Sequence, residues 1–184
     1  MEASEAVRLG IDAARVGLAA GETQAVVVRE AGCDDIRAIM DLNTRAKRPR
    51  GTQASYLDVV EDGQRLLVVA CSGTEVVGWA KTHWWGHADG PAPAGHYLGG
   101  VTVDPDWRRR GIGTMLTTFR LGWIWERAVE AWYVVNVTNV ASMAMHQEFG
   151  FTEISRATAF HTTTFEGGNG LLMHAHRPIG YPNQ

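Results

Sequence analysis

Tyr97-Leu98-Gly99-Gly100-Val101-Thr102-Val103-Asp104-Pro105-Asp106-Trp107-Arg108-Arg109-Arg110-Gly111-Ile112-Gly113 is the stretch on which the fold turns. Its first seven residues read as a strand. Gly99 and Gly100 stand in the middle of it, where glycine weakens pairing and marks a bulge or a close backbone approach. Asp104-Pro105-Asp106 stops the strand, because proline cannot continue the ladder. A long helix then opens at Gly111, with Ile112, Met115, Leu116, Phe119 and Trp123 as its buried stripe. A glycine-bearing turn at a helix start gathers unpaired backbone N–H groups and the positive end of the helix dipole at one spot, and Gly111 and Gly113 keep side chains away from it. That spot suits a phosphate or pyrophosphate, and Arg108, Arg109 and Arg110 stand ready with charge-assisted hydrogen bonds.

Two phosphate-binding patterns fail on required positions. The P-loop demands G-x-x-x-x-G-K-[ST], and no such lysine is present. The dinucleotide fingerprint needs a third glycine where Gly111-Ile112-Gly113-Thr114-Met115-Leu116 carries leucine.

Upstream, Ala25 to Arg29 reads as a strand. Asp34 or Asp35 then caps a helix striped by Ile36, Ile39 and Met40, with Asn43 at its wet end. A basic loop from Arg45 to Gly51 leads to a second helix with Tyr56, Leu57 and Val60 on one side. Leu66 to Cys71 and Val76 to Trp84, joined by Ser72-Gly73-Thr74, form a hairpin pattern. Loop material from Gly86 to Gly95 precedes the strand His96 to Val103. Downstream come a helix from Gly111 to about Glu130, a strand Trp132 to Asn136, a helix Ala141 to Phe149 closed by Gly150, and strands near Phe151 to His161 and Leu171 to His176. The expected class is α/β, with about seven strands in a mixed, mostly antiparallel sheet flanked by helices, in the order βααβββαβαββ.

The 184 residues suit one core. Residues 21–184 are expected to form that domain, preceded by an extension, 1–20, with helical spacing through Ala6, Leu9, Ala13 and Val16. A net charge of -3 removes the general phosphate attraction on which nucleic-acid binders depend. Cys33 and Cys71 lack CxxC spacing and suit reduced thiols. The first 20 residues have no uninterrupted apolar run of the signal-peptide or membrane kind. A cytoplasmic protein with no nucleic-acid or membrane partner is expected. No metal site is expected either: spacing places no third ligand beside His83 and His87, and His174-Ala175-His176 alternates across a strand.

Arg108, Gly111 and Gly113 match the pattern [QR]-x-x-G-x-[GA] after a Val-rich strand. At that point the chain resembles the GNAT superfamily of N-acetyltransferases. Asn136, Asn139, Ser142 and Met145-His146 ahead of Phe149-Gly150-Phe151 resemble the same family's strand, Asn-containing turn and helix ending in Gly-Phe. The element order agrees over roughly residues 25 to 176.

The resemblance implies an acetyl-CoA-dependent N-acetyltransferase that works by direct attack in a ternary complex. In such enzymes the strand before the phosphate loop splays from its neighbour and hydrogen-bonds the pantetheine arm, which falls here to Val101, Thr102 and Val103. The pyrophosphate would rest on the amides of Arg109, Arg110, Gly111, Ile112, Gly113 and Thr114, with Arg108 at the Arg/Gln position. Asn139 and Ser142 would border the pantetheine and thioester. His146 stands where family members commonly place a proton-donating tyrosine.

A base must also deprotonate the amine. Strands can direct His83, His96, Tyr97 and Glu75 to the cleft, with Asp104 at the strand end, and His96 is favoured. His83, Trp84, Trp85 and Tyr97 suggest a compact polar-aromatic pocket and hence a small-molecule amine substrate. The alternatives are a protein or peptide N-acetyltransferase, or a non-catalytic acyl-CoA-binding regulatory module. If Trp84, Trp85 and the end strands lie outside the pocket, they are candidate homodimer surfaces.

Overall fold

The computed structural model describes residues 25–49 and 51–181. The extension read at residues 1–20 lies outside them. In chain order the elements are β1 (Val26–Glu30), α1 (Ile36–Arg45), α2 (Gln53–Val60), β2 (Leu67–Ser72), β3 (Glu75–Trp85), β4 (Gly95–Val103), α3 (Ile112–Trp125), β5 (Glu130–Asn136), α4 (Val140–Gln147), β6 (Thr152–Ala157), β7 (Ala159–Phe160), β8 (Thr163–Thr164) and β9 (Gly170–His176). Seven strands form one sheet in the hydrogen-bonded order β1-β2-β3-β4-β5-β9-β6, and β7 and β8 form a separate small hairpin. Pairing is antiparallel for β1–β2, β2–β3, β5–β9 and β6–β9 and parallel for β4–β5. The sheet is therefore mixed and mostly antiparallel, as the order of elements implies. Among the described residues no helix is long and apolar enough to cross a membrane.

The chain gathers into two compact units, one made of the residues up to Lys81 together with Gly100–Gly122, the other of Thr82–Gly99 and the residues from Trp123 onward. In the first, β2 is buried at every position, as a strand covered on both faces must be. Ile36, Ile39 and Leu42 of α1 and Tyr56 and Val59 of α2 pack with Leu67, Val69 and Cys71 of β2 and Val76 and Trp79 of β3. On the opposite face a Cβ at Gly78 would stand 3.0 Å from Ile112 Cγ2 and 3.2 Å from Leu116 Cδ1 of α3. Glycine lets the helix seat against the strand.

Three sequence expectations shift. Asn43, expected at the wet end of α1, is fully buried. Its amide donates to the Tyr56 hydroxyl at 2.7 Å and its carbonyl accepts from Trp79 Nε1 at 2.9 Å, so both polar groups are satisfied inside. Helix α3 stops at Trp125 rather than near Glu130, which instead begins β5. The Arg127 guanidinium lies 3.9 Å from the Trp123 ring centroid and donates to the Trp123 carbonyl at 2.8 Å, closing the helix with a cation at its negative end. The long last-but-one strand breaks after Ala157 with a bend at Thr158, and the short β7 that follows turns at His161, whose φ is 49°. Arg120 is an unexpected interior residue. It is completely buried, it donates to the carbonyls of Leu116 and Lys81 and to the Thr117 hydroxyl, and burial pushes its pKa down to about 9.

Gly78→Val should destabilise the fold by about 1–3 kcal/mol by overpacking against Ile112 and Leu116. Urea denaturation checks this, and an unchanged midpoint would show that α3 does not press on β3 there.

Candidate active site

The loop expected to hold phosphate begins at Asp104. Its backbone N–H donates to the Val77 carbonyl at 2.9 Å, tying the end of β4 to β3. One carboxylate oxygen accepts from Arg45 Nε at 2.8 Å and the other from the Asp106 N–H at 3.1 Å. A carboxylate engaged in this way serves as an anchor, and the base role considered for Asp104 loses its motive. Pro105–Trp107 forms a single tight turn. Arg108 Nε donates back to the Val103 carbonyl at 3.3 Å, and the Arg110 guanidinium lies 4.9 Å from the Trp107 ring centroid.

The backbone then turns through two left-handed positions, Arg109 at φ 60° and Gly111 at φ 76°. The first is unusual for a residue with a Cβ. A Cβ at Gly111 would meet no atom within 4 Å, so the space above the loop is open. Met115 N–H donates to the Gly111 carbonyl at 3.0 Å, which leaves the amides of Ile112, Gly113 and Thr114 as the first-turn donors of a 14-residue helix. Arg108, Arg109 and Arg110 are exposed, Ile112 is buried, and Gly113 and Thr114 are half-buried. In the strand before them Val101 and Val103 are half-buried while Thr102 faces the interior. This open, cationic, donor-rich turn fits a pyrophosphate.

In the other unit the side-chain oxygen of Asn136 accepts from the N–H and hydroxyl of Thr138 at 3.0 and 2.8 Å, forming the turn after β5. Asn139 caps α4, its side-chain oxygen accepting from the Ser142 N–H at 3.2 Å. His146 is buried. Its Nδ1 lies 2.8 Å from the Ser142 carbonyl and 3.3 Å from the Ser142 hydroxyl. A carbonyl only accepts, so Nδ1 carries a proton. The ring stacks on Tyr133 at 4.2 Å and meets Phe151 edge-on. Tyr133 escaped the sequence reading. Its hydroxyl is buried with no hydrogen-bond partner among the described residues, and burial pushes its pKa up to about 12.

The remaining candidates separate by strand alternation. Trp85 and Tyr97 gather around His161, which the sequence did not single out, and His83 stacks beside Trp85. Its ring lies 4.4 Å from Trp85 and nearly parallel to it, with Tyr97 and His87 edge-on at 5.3 and 5.7 Å. The His161 N–H donates to Asp89 at 2.7 Å, and the Tyr97 hydroxyl donates to the Pro93 carbonyl at 2.7 Å. Trp84 points the other way. With Trp123 it encloses His96, at ring distances of 4.5 and 5.3 Å. His96 is buried, and its Nδ1 has no hydrogen-bond partner among the described residues. Burial, with a smaller push from Arg127, lowers its pKa below the usual imidazole value. Glu75 is exposed at the β2–β3 turn.

The family model described as "Acetyltransferase (GNAT) family" matches residues 33–151. The [ribosomal protein bS18]-alanine N-acetyltransferase of Salmonella typhimurium is 30% identical over 74 residues, which make up 40% of this chain and 50% of the relative. The chain thus spans about half the length of the curated relatives it matches. Among solved structures, the ribosomal-protein-S18-alanine N-acetyltransferase from Escherichia coli superposes with a TM-score of 0.66 at 18% identity, covering 86% of this chain and 98% of that one. A phosphinothricin acetyltransferase from Sinorhizobium meliloti, in complex with AcCoA, gives 0.64 at 19% identity, over 82% of this chain and 88% of that one. These likenesses carry the fold. The family match, which spans the phosphate loop and the Asn139 turn, carries the membership: the chain belongs to the GNAT family of acetyltransferases.

Proposed function

We propose that the chain is an acetyl-CoA-dependent N-acetyltransferase. The observation that supports this most is the phosphate loop, with left-handed Arg109 and Gly111, open space above Gly111 and the first-turn amides of α3 beneath it. Val101 to Val103 lead into that loop, and Arg108 to Thr114 are the residues that would hold the pyrophosphate. Asn139 and Ser142 set the start of α4 and, through Ser142, the orientation of His146. Bound acetyl-CoA supplies an activated thioester.

The acceptor amine must be neutral to attack it, and we assign His96 to take up its proton. Its lowered pKa keeps the imidazole neutral at pH 7. His146 is assigned to protonate the leaving sulfur; because Nδ1 keeps its proton on the Ser142 carbonyl, it acts as the doubly protonated ring, giving up the Nε2 proton and returning to the neutral Nδ1–H form. The acceptor we favour is the α-amine of a protein or peptide, because the curated relatives are named for the alanine of ribosomal protein bS18. A small-molecule amine is the second reading. The His83, Trp85, Tyr97 and His161 rings favour it, since aromatic faces attract a compact ammonium group.

Gly111→Val should raise KM for acetyl-CoA by tenfold or more, about 1.4 kcal/mol, because a branched side chain would fill the phosphate's place and resist positive φ. Steady-state kinetics measure this, and unchanged cofactor kinetics would remove the loop from the cofactor site. A base whose folded pKa is lowered stays neutral to lower pH, so the acid limb of kcat/KM should fall below about pH 6.5. His96→Gln should abolish that limb and slow turnover; an unaltered profile would exclude His96. Thiol release from acetyl-CoA should appear with peptides bearing a free N-terminus and not with their N-acetylated forms. Release only with small amines would establish the second reading. Cofactor binding without any release would leave a regulatory acyl-CoA-binding module, and no binding would overturn the proposal.

A further inference from the structure

His174 and His176 sit two apart on β9, so both rings project from the same face of the sheet. Spacing within β9 offers no third ligand, but the neighbouring strand does. The antiparallel register sets Glu130 of β5 opposite His176 and Trp132 opposite His174. Glu130 Oε1 lies 3.4 Å from His174 Nε2 and 3.6 Å from His176 Nε2. One ligand atom from each of the three residues falls within 4.8 Å of the others. We propose that Glu130, His174 and His176 form a binding site for a divalent transition-metal ion of the zinc type.

The distances carry the proposal. Zinc bonds of about 2.0–2.2 Å in a tetrahedral shell require neighbouring ligand atoms to be about 3.4 Å apart. The two measured separations already approach that spacing, and both exceed a good hydrogen bond. His174 Nε2 is buried and has no hydrogen-bond partner among the described residues. The Trp132 ring, 4.2 Å from the His174 ring, limits how that imidazole can turn. Two imidazoles and one carboxylate suit zinc, cobalt, nickel or copper and not magnesium or calcium, which prefer oxygen alone. The side chains of Glu130 and His176 are 47% and 66% exposed, so the fourth coordination position faces solvent and takes water or a ligand from elsewhere. The ion joins β5 to β9.

Isothermal titration of the untagged chain with zinc chloride tests this directly. One saturable site per chain is expected, with cobalt(II) giving the intense visible bands of a tetrahedral complex and magnesium giving no saturable heat. Glu130→Gln and His176→Ala alter exposed side chains and should leave the chelated protein's melting temperature unchanged. Each should weaken zinc binding on the order of tenfold or more, whereas His87→Ala should leave it intact. Absence of saturable zinc binding, or equal affinity in the Glu130→Gln/His176→Ala double variant, would reduce the cluster to a surface ion pair and overturn the proposal.

Discussion

The Asp104 carboxylate and its own backbone N–H hold the phosphate loop to the rest of its unit. The N–H joins Val77 of β3, one oxygen holds Arg45 from the end of α1, and the other receives the Asp106 N–H as the chain turns. A nearly buried carboxylate in such a place costs desolvation energy, which charge-assisted hydrogen bonds offset. Because the strand end is fixed, the left-handed steps at Arg109 and Gly111 can aim the start of α3 at open space. Seating α3 depends in turn on the missing side chain at Gly78.

Around this anchor the interior is more polar than the apolar stripes suggest. Asn43 links Tyr56 to Trp79, and Arg120 spends its donors on two carbonyls and a hydroxyl. Each is tolerated because partners lie within hydrogen-bond reach in the same unit. Replacing one member would leave the others with buried, unsatisfied groups, a heavier penalty than losing the bond itself.

What could be read from the sequence follows the range of the interactions. The turn from Asp104 to Gly111 and the helix start after it were legible because proline and glycine act within a few residues of themselves. The turn at Asn139 and the position of His146 were legible by their spacing along one strand, turn and helix. Asn43 misled because asparagine at a helix end usually seeks water, and its burial rests on Trp79, a residue far along the chain. The opposed directions of Trp84 and Trp85 follow from strand alternation, but their partners His96, Trp123 and His161 depend on tertiary packing. Glu130 beside His174 and His176 was invisible for the same reason, since only the β5–β9 register brings them together.

The anchoring of Asp104 also bears on the order in which the chain assembles. The β2–β3 hairpin closes through a local turn at Gly73, and contacts near in sequence form ahead of distant ones. The clasp from Asp104 to Val77 and Arg45, and the seating of Ile112 and Leu116 on Gly78, join segments made far apart during synthesis. The loop's shape therefore depends on contacts between segments distant in sequence, which cost more chain entropy to close than the hairpin turn does.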